Sequence, residues 1–242
     1  MIFKDSPHRR YNPLNGEWII VSPQRSKRPW QAAAAKEATK MEDYDAKCFL
    51  CPGNQRSSLD DKTIQNPDYE DIFVFENDFP CLIDDGSMQP HDEDTNDSNI
   101  SKHNFFKHQD IRGTCRVICY SKHHNLNLGD MPDASILNVI NEWINQLQEL
   151  GQKYAYVQIF ESKGELVGCS SQHPHGQIWA LDYIPHLVEQ ENKRQQSYNE
   201  QYNSNLLLDY LSEEELLGER IVMANDHWVV LVPYWAYWPY ET

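Results

Sequence analysis

The stretch Gly168-Cys169-Ser170-Ser171-Gln172-His173-Pro174-His175-Gly176-Gln177 restricts its own backbone more than any other part of the chain. Pro174 fixes its φ and biases His173 toward an extended conformation. Extended residues two apart point to one face, so the spacing predicts that His173 and His175 project together. Gly176 lets a ligand approach the backbone closely. A neutral imidazole is both a nucleophile and a metal ligand. A lone histidine would read as an ordinary turn residue. Gly, Ser, His-Pro-His and Gln within ten residues point instead to a site.

The bulk composition narrows the partners. A chain of 242 residues holds one large domain or two small ones. With 40% hydrophobic residues, 7 Trp and 13 Tyr it can fill a core. A net charge of −16 argues against nucleic acid as partner, since non-specific binding of that polymer needs a basic surface. A small anionic substrate remains compatible, because a local arginine cluster can act inside an acidic protein. No apolar run of about 18 residues exists, so no membrane span is expected. The start, Met1 to Pro7, lacks the apolar core of a signal peptide, and a cytoplasmic protein is expected. Its six cysteines are then expected as thiols or metal ligands rather than disulfides.

Strands are predicted at Trp18–Val21, Ile72–Phe75, Thr114–Tyr120, Tyr154–Phe160, Ile178–Ala180 and His227–Pro233, with a loop at residues 22–29. Residues 31–47 read as a loosely ordered connection and residues 84–104 as a polar acidic loop. Asp133 is expected to cap a helix running to Leu150, with Gly151 as its stop signal. Ile136, Ile140, Trp143, Ile144 and Leu147 are the expected buried face of that helix. Residues 187–217 read as two polar helices. Strands crossed by a few helices give an α+β class. Val74-Phe75-Glu76-Asn77-Asp78 is echoed weakly by Val222-Met223-Ala224-Asn225-Asp226, as a duplication would leave.

Cys48-Phe49-Leu50-Cys51 is a knuckle whose two thiolates can grip one zinc, and a structural site needs two more ligands. Thioredoxin-type redox chemistry is the competing reading, but the flanks are not a βαβ unit. No second C-x-x-C exists, so histidines must complete the site, with His123, His124 and His173 as candidates. Arg25, Lys27 and Arg28 share one loop. Arginine forks suit phosphate oxygens, although three close cations are more often a solvated run.

Taken together, Pro7-His8-Arg9-Arg10-Tyr11-Asn12-Pro13-Leu14, Lys27-Arg28-Pro29-Trp30, Cys48-Phe49-Leu50-Cys51, Asn77-Asp78-Phe79, Arg116-Val117-Ile118-Cys119, the segment Gly168 to Ala180 and Val232-Pro233-Tyr234-Trp235-Ala236 resemble the galactose-1-phosphate uridylyltransferase family. The likeness runs in order from Pro7 to Thr242. It implies ping-pong nucleotidyl transfer within the histidine-triad superfamily. His175 matches the nucleophile that takes UMP from UDP-glucose and passes it to galactose 1-phosphate. Gln177 and Ser170 match residues that hydrogen-bond the phosphoryl oxygens. Arg28 matches an active-site arginine, with Arg25 beside it in the same loop. Phe49, Phe75 and Val117 match apolar positions around the uracil, where core packing is the plain alternative. Asn77 matches a ribose or phosphate contact. The implied zinc ligands are Cys48, Cys51, His124 and His173. Glu191 matches the carboxylate of a second metal site, incomplete here because its histidine partners belong to the second half of the family's fold.

Three positions depart from the family pattern. Ser171-Gln172 stands where Asn-Pro is usual, Ser162 stands where an active-site Asn is usual, and the sequence stops at Thr242. The implied fold is an antiparallel-sheet half-barrel with crossing helices, histidine-triad-like, its second repeat cut short. Residues 1–185 would form the first repeat with the catalytic loop. Residues 186–242 would form a helical connection and the start of the second. Hexose 1-phosphates and UDP-glucose are the implied substrates, and a homodimer the implied assembly once the second half is present. The alternatives are a catalytically deficient protein that keeps zinc and nucleotide contacts, and a histidine-triad hydrolase or adenylyltransferase acting on another nucleotide. In the aromatic stretch Pro233 to Tyr240, five of eight residues are aromatic, so exposed apolar surface is expected there.

Overall fold

A computed structural model of the chain describes residues 6–29, 42–84, 105, 106, 108–169 and 171–242. In chain order its elements are β1 (His8–Tyr11), β2 (Trp18–Val21), β3 (Gln55–Ser57), β4 (Thr63–Gln65), β5 (Phe73–Glu76), β6 (Gly113–Cys119), α1 (Asp133–Leu150), β7 (Tyr156–Phe160), β8 (His175–Leu181), α2 (His186–Tyr202), α3 (Leu206–Leu217), β9 (Ile221–Ala224) and β10 (Val229–Leu231). They fall into two compact units, residues 37–184 and residues 1–36 with 185–242.

The 37–184 unit is built on an antiparallel sheet of order β5-β6-β8-β7. Alternation along its strands assigns the two faces. Ile118 and Tyr120 at β6, with Ile178 and Ala180 in β8, share one core with Val139 and Leu150 of α1. Ile118 and Ile178 are fully buried, and each such side chain stabilises the fold by about 1.5–3 kcal/mol. The opposite face carries Val117 and Cys119 of β6 and packs on Cys48, Leu50, Cys51 and Tyr69, with Phe73 and Phe75 of β5 alongside. The register places Phe75 opposite Val117 and Val117 opposite Gln177. One step along, Phe73 meets Cys119 and Cys119 meets His175.

Helix α1 corrects two expectations. Asp133 is its first residue, not its cap: the N-cap is Pro132, with no side-chain cap bond. Asp133 contributes only its charge to the positive helix start. The buried face is Val139, Gln146 and Leu150, with Ile136 and Trp143 partly covered, whereas Ile140, Ile144 and Leu147 are exposed. The helix is apolar over a wider arc than the sheet covers, and 3.6-residue spacing alone does not say which half of that arc wins.

The other unit pairs β1 with β2 and β9 with β10, both antiparallel. The predicted loop after β2 is a 3-10 turn at Pro23–Lys27. Helix α2 has no buried residue, and α3 is capped by Asn205, whose side chain accepts from the Leu207 and Leu208 amides. The aromatic stretch divides. Trp235 is buried, its ring 4.5 Å from that of Tyr210, while Tyr237, Trp238 and Tyr240 are exposed. The echo is a shared local device. Asn77 accepts from the Phe79 amide at the end of β5, and Asn225 accepts from the His227 amide at the end of β9. Most of the predicted segment 31–47 and all of 85–104 lie outside the described residues. Among the described residues no helix is long and apolar enough to cross a membrane.

Candidate functional site

The strand β8 begins at His175, and the chain bends at His173 and Pro174 immediately before it. Both imidazoles project to the face of the sheet that packs on the Cys48–Cys51 knuckle, as the spacing predicts, but they reach different surroundings there. His173 is 1% exposed and turns into a cluster with Cys48, Cys51 and His124, all four buried. His175 is half-buried and lines a cavity.

The four ligand atoms of the cluster lie within 4.8 Å of one another. A tetrahedral ion about 2.3 Å from sulfur and about 2.0 Å from nitrogen sets a sulfur–nitrogen edge of about 3.5 Å. Cys51 Sγ lies 3.6 Å from Nδ1 of both His124 and His173. The tautomer of His173 also suits a ligand. Its Nε2 lies 2.9 Å from the Ser121 carbonyl, which can only accept, so Nε2 carries the proton and Nδ1 keeps its lone pair toward Cys51. Tyr69 stands 3.0 Å from the same Nε2 and donates to the Leu50 carbonyl at 2.6 Å. Burial first, then the neighbouring His124, pulls His173 down to about 4. Burial likewise lifts the Cys51 thiol to about 11. A bound cation reverses that preference, because a coordinated thiol gives up its proton. The donor set, its burial and its edges therefore fit a metal ion. His123 is outside the cluster, its Nδ1 paired with Asp43 at 2.7 Å.

The knuckle is braced by amides that no sequence pattern flagged. Asn54 Nδ2 donates to the Asp45 and Cys48 carbonyls, and Asn66 Nδ2 donates to those of Phe49 and Cys51. The Asn66 oxygen accepts from Arg56 Nε at 2.9 Å. Arg56 then pairs with Asp78 at 2.5 Å and lies 4.0 Å above the Phe75 ring. One chain of contacts thus runs from the cluster to the wall of the cavity.

The cavity holds about 400 Å³ and is lined by Phe49, Phe75, Asn77, Val117, His175 and Gln177, all named from sequence. Leu50, Arg56, Asp78 and Phe79 line it as well. Two larger cavities, of about 500 and 650 Å³, carry neither histidine of the motif. In the cavity of about 500 Å³, Arg116 is tied to Glu149 and Lys153 to Asp84, so both of its cations are paired and Glu76 adds a further carboxylate. His175 Nδ1 donates to the His173 carbonyl at 2.7 Å, so the lone pair is on Nε2. Gln177 Oε1 accepts from Trp179 Nε1 at 3.1 Å, so its NH₂ group remains a donor. Gly176 is obligatory here: a Cβ would stand 2.1 Å from the Tyr120 hydroxyl and 2.9 Å from the Phe160 carbonyl.

Ser170 lies outside the described residues. Ser162 is half-buried just beyond β7 and is not among the described residues lining the cavity. Arg25 sits in the 3-10 turn after β2 and Arg28 at its C-cap, both exposed. Glu191 is half-buried in α2 and is not part of the cysteine–histidine cluster. Arg25, Arg28 and Glu191 all belong to the unit formed by residues 1–36 and 185–242.

In architecture this is an α+β chain of the histidine-triad type. Two solved structures share it: a uridylyltransferase, 25% identical with a TM-score of 0.62 over 96% of this chain and 63% of the other, and an ADP-glucose phosphorylase from Arabidopsis thaliana, 22% identical with a TM-score of 0.63 over 96% and 65%. The chain belongs to the galactose-1-phosphate uridyl transferase family: residues 2–185 match its N-terminal domain and residues 191–242 its C-terminal domain. Galactose-1-phosphate uridylyltransferase of Haemophilus influenzae is 45% identical over 98% of this chain, and that of Saccharomyces cerevisiae 42% identical over 99%. The chain spans about 65% of the Haemophilus relative's length and 66% of the yeast relative's.

Proposed function

We propose that this chain carries the nucleotidyl-transfer site of a UDP-glucose–hexose-1-phosphate uridylyltransferase, with His175 as nucleophile. The observation that carries the reading is the His175–His173 hydrogen bond, which fixes the lone pair on Nε2 in the cavity beside Gln177. Nε2 attacks the α-phosphorus of UDP-glucose, the bond to glucose 1-phosphate breaks, and UMP stays on the imidazole. A phosphate oxygen of galactose 1-phosphate then attacks the same phosphorus and His175 is restored. Gln177 donates to the phosphoryl oxygens as charge builds there, which is where donors lower the barrier most. Ser170, Arg25 and Arg28 are read in the same supporting role. Phe49, Phe75 and Val117 enclose the base, Asn77 holds the ribose or phosphate, and Ser162 takes the place of an amide contact.

Zinc fits the Cys48, Cys51, His124 and His173 set. When bound, it supplies folding energy by holding the knuckle and the His-Pro-His bend together. Glu191 is read as one ligand of a second site. On the same reading residues 1–185 form the catalytic repeat and residues 186–242 belong to a second one, the protein acts in the cytoplasm, and it forms a homodimer when the second half is present.

UDP-glucose labelled in its uridylyl group tests this. Label should appear on the protein and survive removal of free nucleotide, and His175→Gly should carry none. Equal labelling of that variant would overturn the nucleophile. The ADP-glucose phosphorylase sharing this fold was solved with ADP-glucose bound, so labelled ADP-glucose is the second arm. Transfer from ADP-glucose in preference to UDP-glucose would keep His175 and overturn the uridine assignment.

A further inference from the structure

Two cysteines outside the metal cluster touch each other. Cys115, in β6, is 1% exposed, and Cys81 is an exposed residue of the segment that follows β5. Their sulfurs are 3.5 Å apart. The backbone enforces this approach. The Asn77 amide donates to the Cys115 carbonyl at 2.8 Å, and on the other side of Cys81 the Gly113 amide donates to the Ile83 carbonyl at 3.4 Å. Between these two bonds Leu82 is buried in a core cluster that includes Cys115 and Leu181. Cys81 is therefore held across from Cys115 by its neighbours, and closing to a bond length of about 2.05 Å needs a side-chain movement of about 1.5 Å.

We propose that Cys81 and Cys115 form an oxidisable dithiol that closes to an intramolecular disulfide, a modification site separate from the metal cluster. The oxidant is a low-molecular-weight disulfide. The Cys81 thiolate attacks one of its sulfurs, forming a mixed disulfide and expelling one thiolate. Cys115 then loses its proton and attacks the Cys81 sulfur, expelling the second. Two protein thiols lose two protons and two electrons, and the reagent leaves as two thiols. The order follows from exposure, since Cys81 meets the reagent first and Cys115 reaches only Cys81. Burial of its sulfur and then the neighbouring Cys115 raise the Cys81 thiol to about 11. Exchange through so small a thiolate fraction is slow, and a poor leaving thiolate makes the bond, once formed, slow to reopen. The bond would tie the segment after Asn77, which lines the His175 cavity, covalently to β6.

The test treats the zinc-loaded 242-residue chain with oxidised glutathione at mildly alkaline pH and maps its peptides without reduction. The expected product is a Cys81–Cys115 linked pair with loss of two hydrogens, reversed by dithiothreitol, with a thermal midpoint several degrees above the reduced protein. Cys115→Ser should stop at a glutathione adduct on Cys81, and Cys81→Ser should leave Cys115 unmodified. A wild-type chain that ends as a Cys81 adduct, or that links either residue to Cys48, Cys51 or Cys169, would overturn the proposal whatever the variants do. The readout is a covalent bond and is independent of turnover, so it stands or falls apart from the transferase reading.

Discussion

His173 and His175 are separated by one residue and live in two differently built regions. Around His173 every group is buried and directed inward: two thiols, a second imidazole, the Ser121 carbonyl and the Tyr69 hydroxyl. Around His175 some polar groups are paired with each other, as Arg56 is with Asp78, and others are not spent on the protein. The Nε2 lone pair and the Gln177 NH₂ face a cavity whose apolar walls include Phe49, Phe75 and Val117. The first region satisfies all its donors and acceptors and so fixes a shape. The second keeps some in reserve and so can meet a ligand. The two imidazoles share one face of the sheet, and Pro174 separates them so that one reaches the thiols and the other the cavity beside them.

The difference is broken most severely from the cluster side. Cys48→Ser with Cys51→Ser should abolish zinc binding, removing a contribution that reaches about 10 kcal/mol in small structural sites. Metal analysis and thermal unfolding check it, and wild-type zinc content in that variant would refute the site. The cavity side should behave in the opposite way. His175→Gly should lower transfer by about a million-fold, as removal of an activated nucleophile does, with zinc content and thermal midpoint close to wild type. A comparable loss of stability would show that the two regions are not separable.

Arg56 sharpens the comparison because it belongs to both. Arg56→Ala leaves Asp78 and Asn66 without their partner and uncovers Phe75, with an expected cost of about 3 kcal/mol by chemical unfolding. Arg56→Lys keeps the charge but not the fork, so it should recover stability better than it recovers substrate KM. Recovery of both together would reduce Arg56 to a surface ion pair. The smallest effect is expected at His123. His123→Ala removes only an exposed pairing with Asp43, worth about 0–1 kcal/mol, and should leave zinc stoichiometry unchanged. Loss of zinc there would mean that His123, not His124, is the ligand.

Patterns that are local in the chain were legible, and patterns made by folding were not. The C-x-x-C spacing and His-Pro-His-Gly-Gln name their residues because the groups involved are within a few positions of one another. The braces are different. Asn66 reaches back to Phe49 and Cys51, Arg56 reaches forward to Asp78, and Tyr69 meets His173. Each is a single polar residue in a stretch without periodicity, and its partner is decided by strand pairing. The helix Asp133–Leu150 shows the same limit inside one element. Its existence followed from its sequence, but Val139, Gln146 and Leu150 rather than Ile140, Ile144 and Leu147 are buried, because the sheet determines which part of a broad apolar arc is covered.

The sequence by itself therefore determined the chemistry on offer: two imidazoles about a proline, a pair of thiols, and a glycine and an amide after the second imidazole. Only the tertiary structure decided how they are shared. Antiparallel pairing of β5, β6 and β8 aligned Phe75, Val117 and Gln177 in one row and placed Cys119 opposite His175. The bend at Pro174 sent one histidine to the thiols and the other to the cavity. The physical reason is that side-chain identity is a property of one position, whereas burial, tautomer and ligand geometry are set by atoms that approach only when distant segments pack.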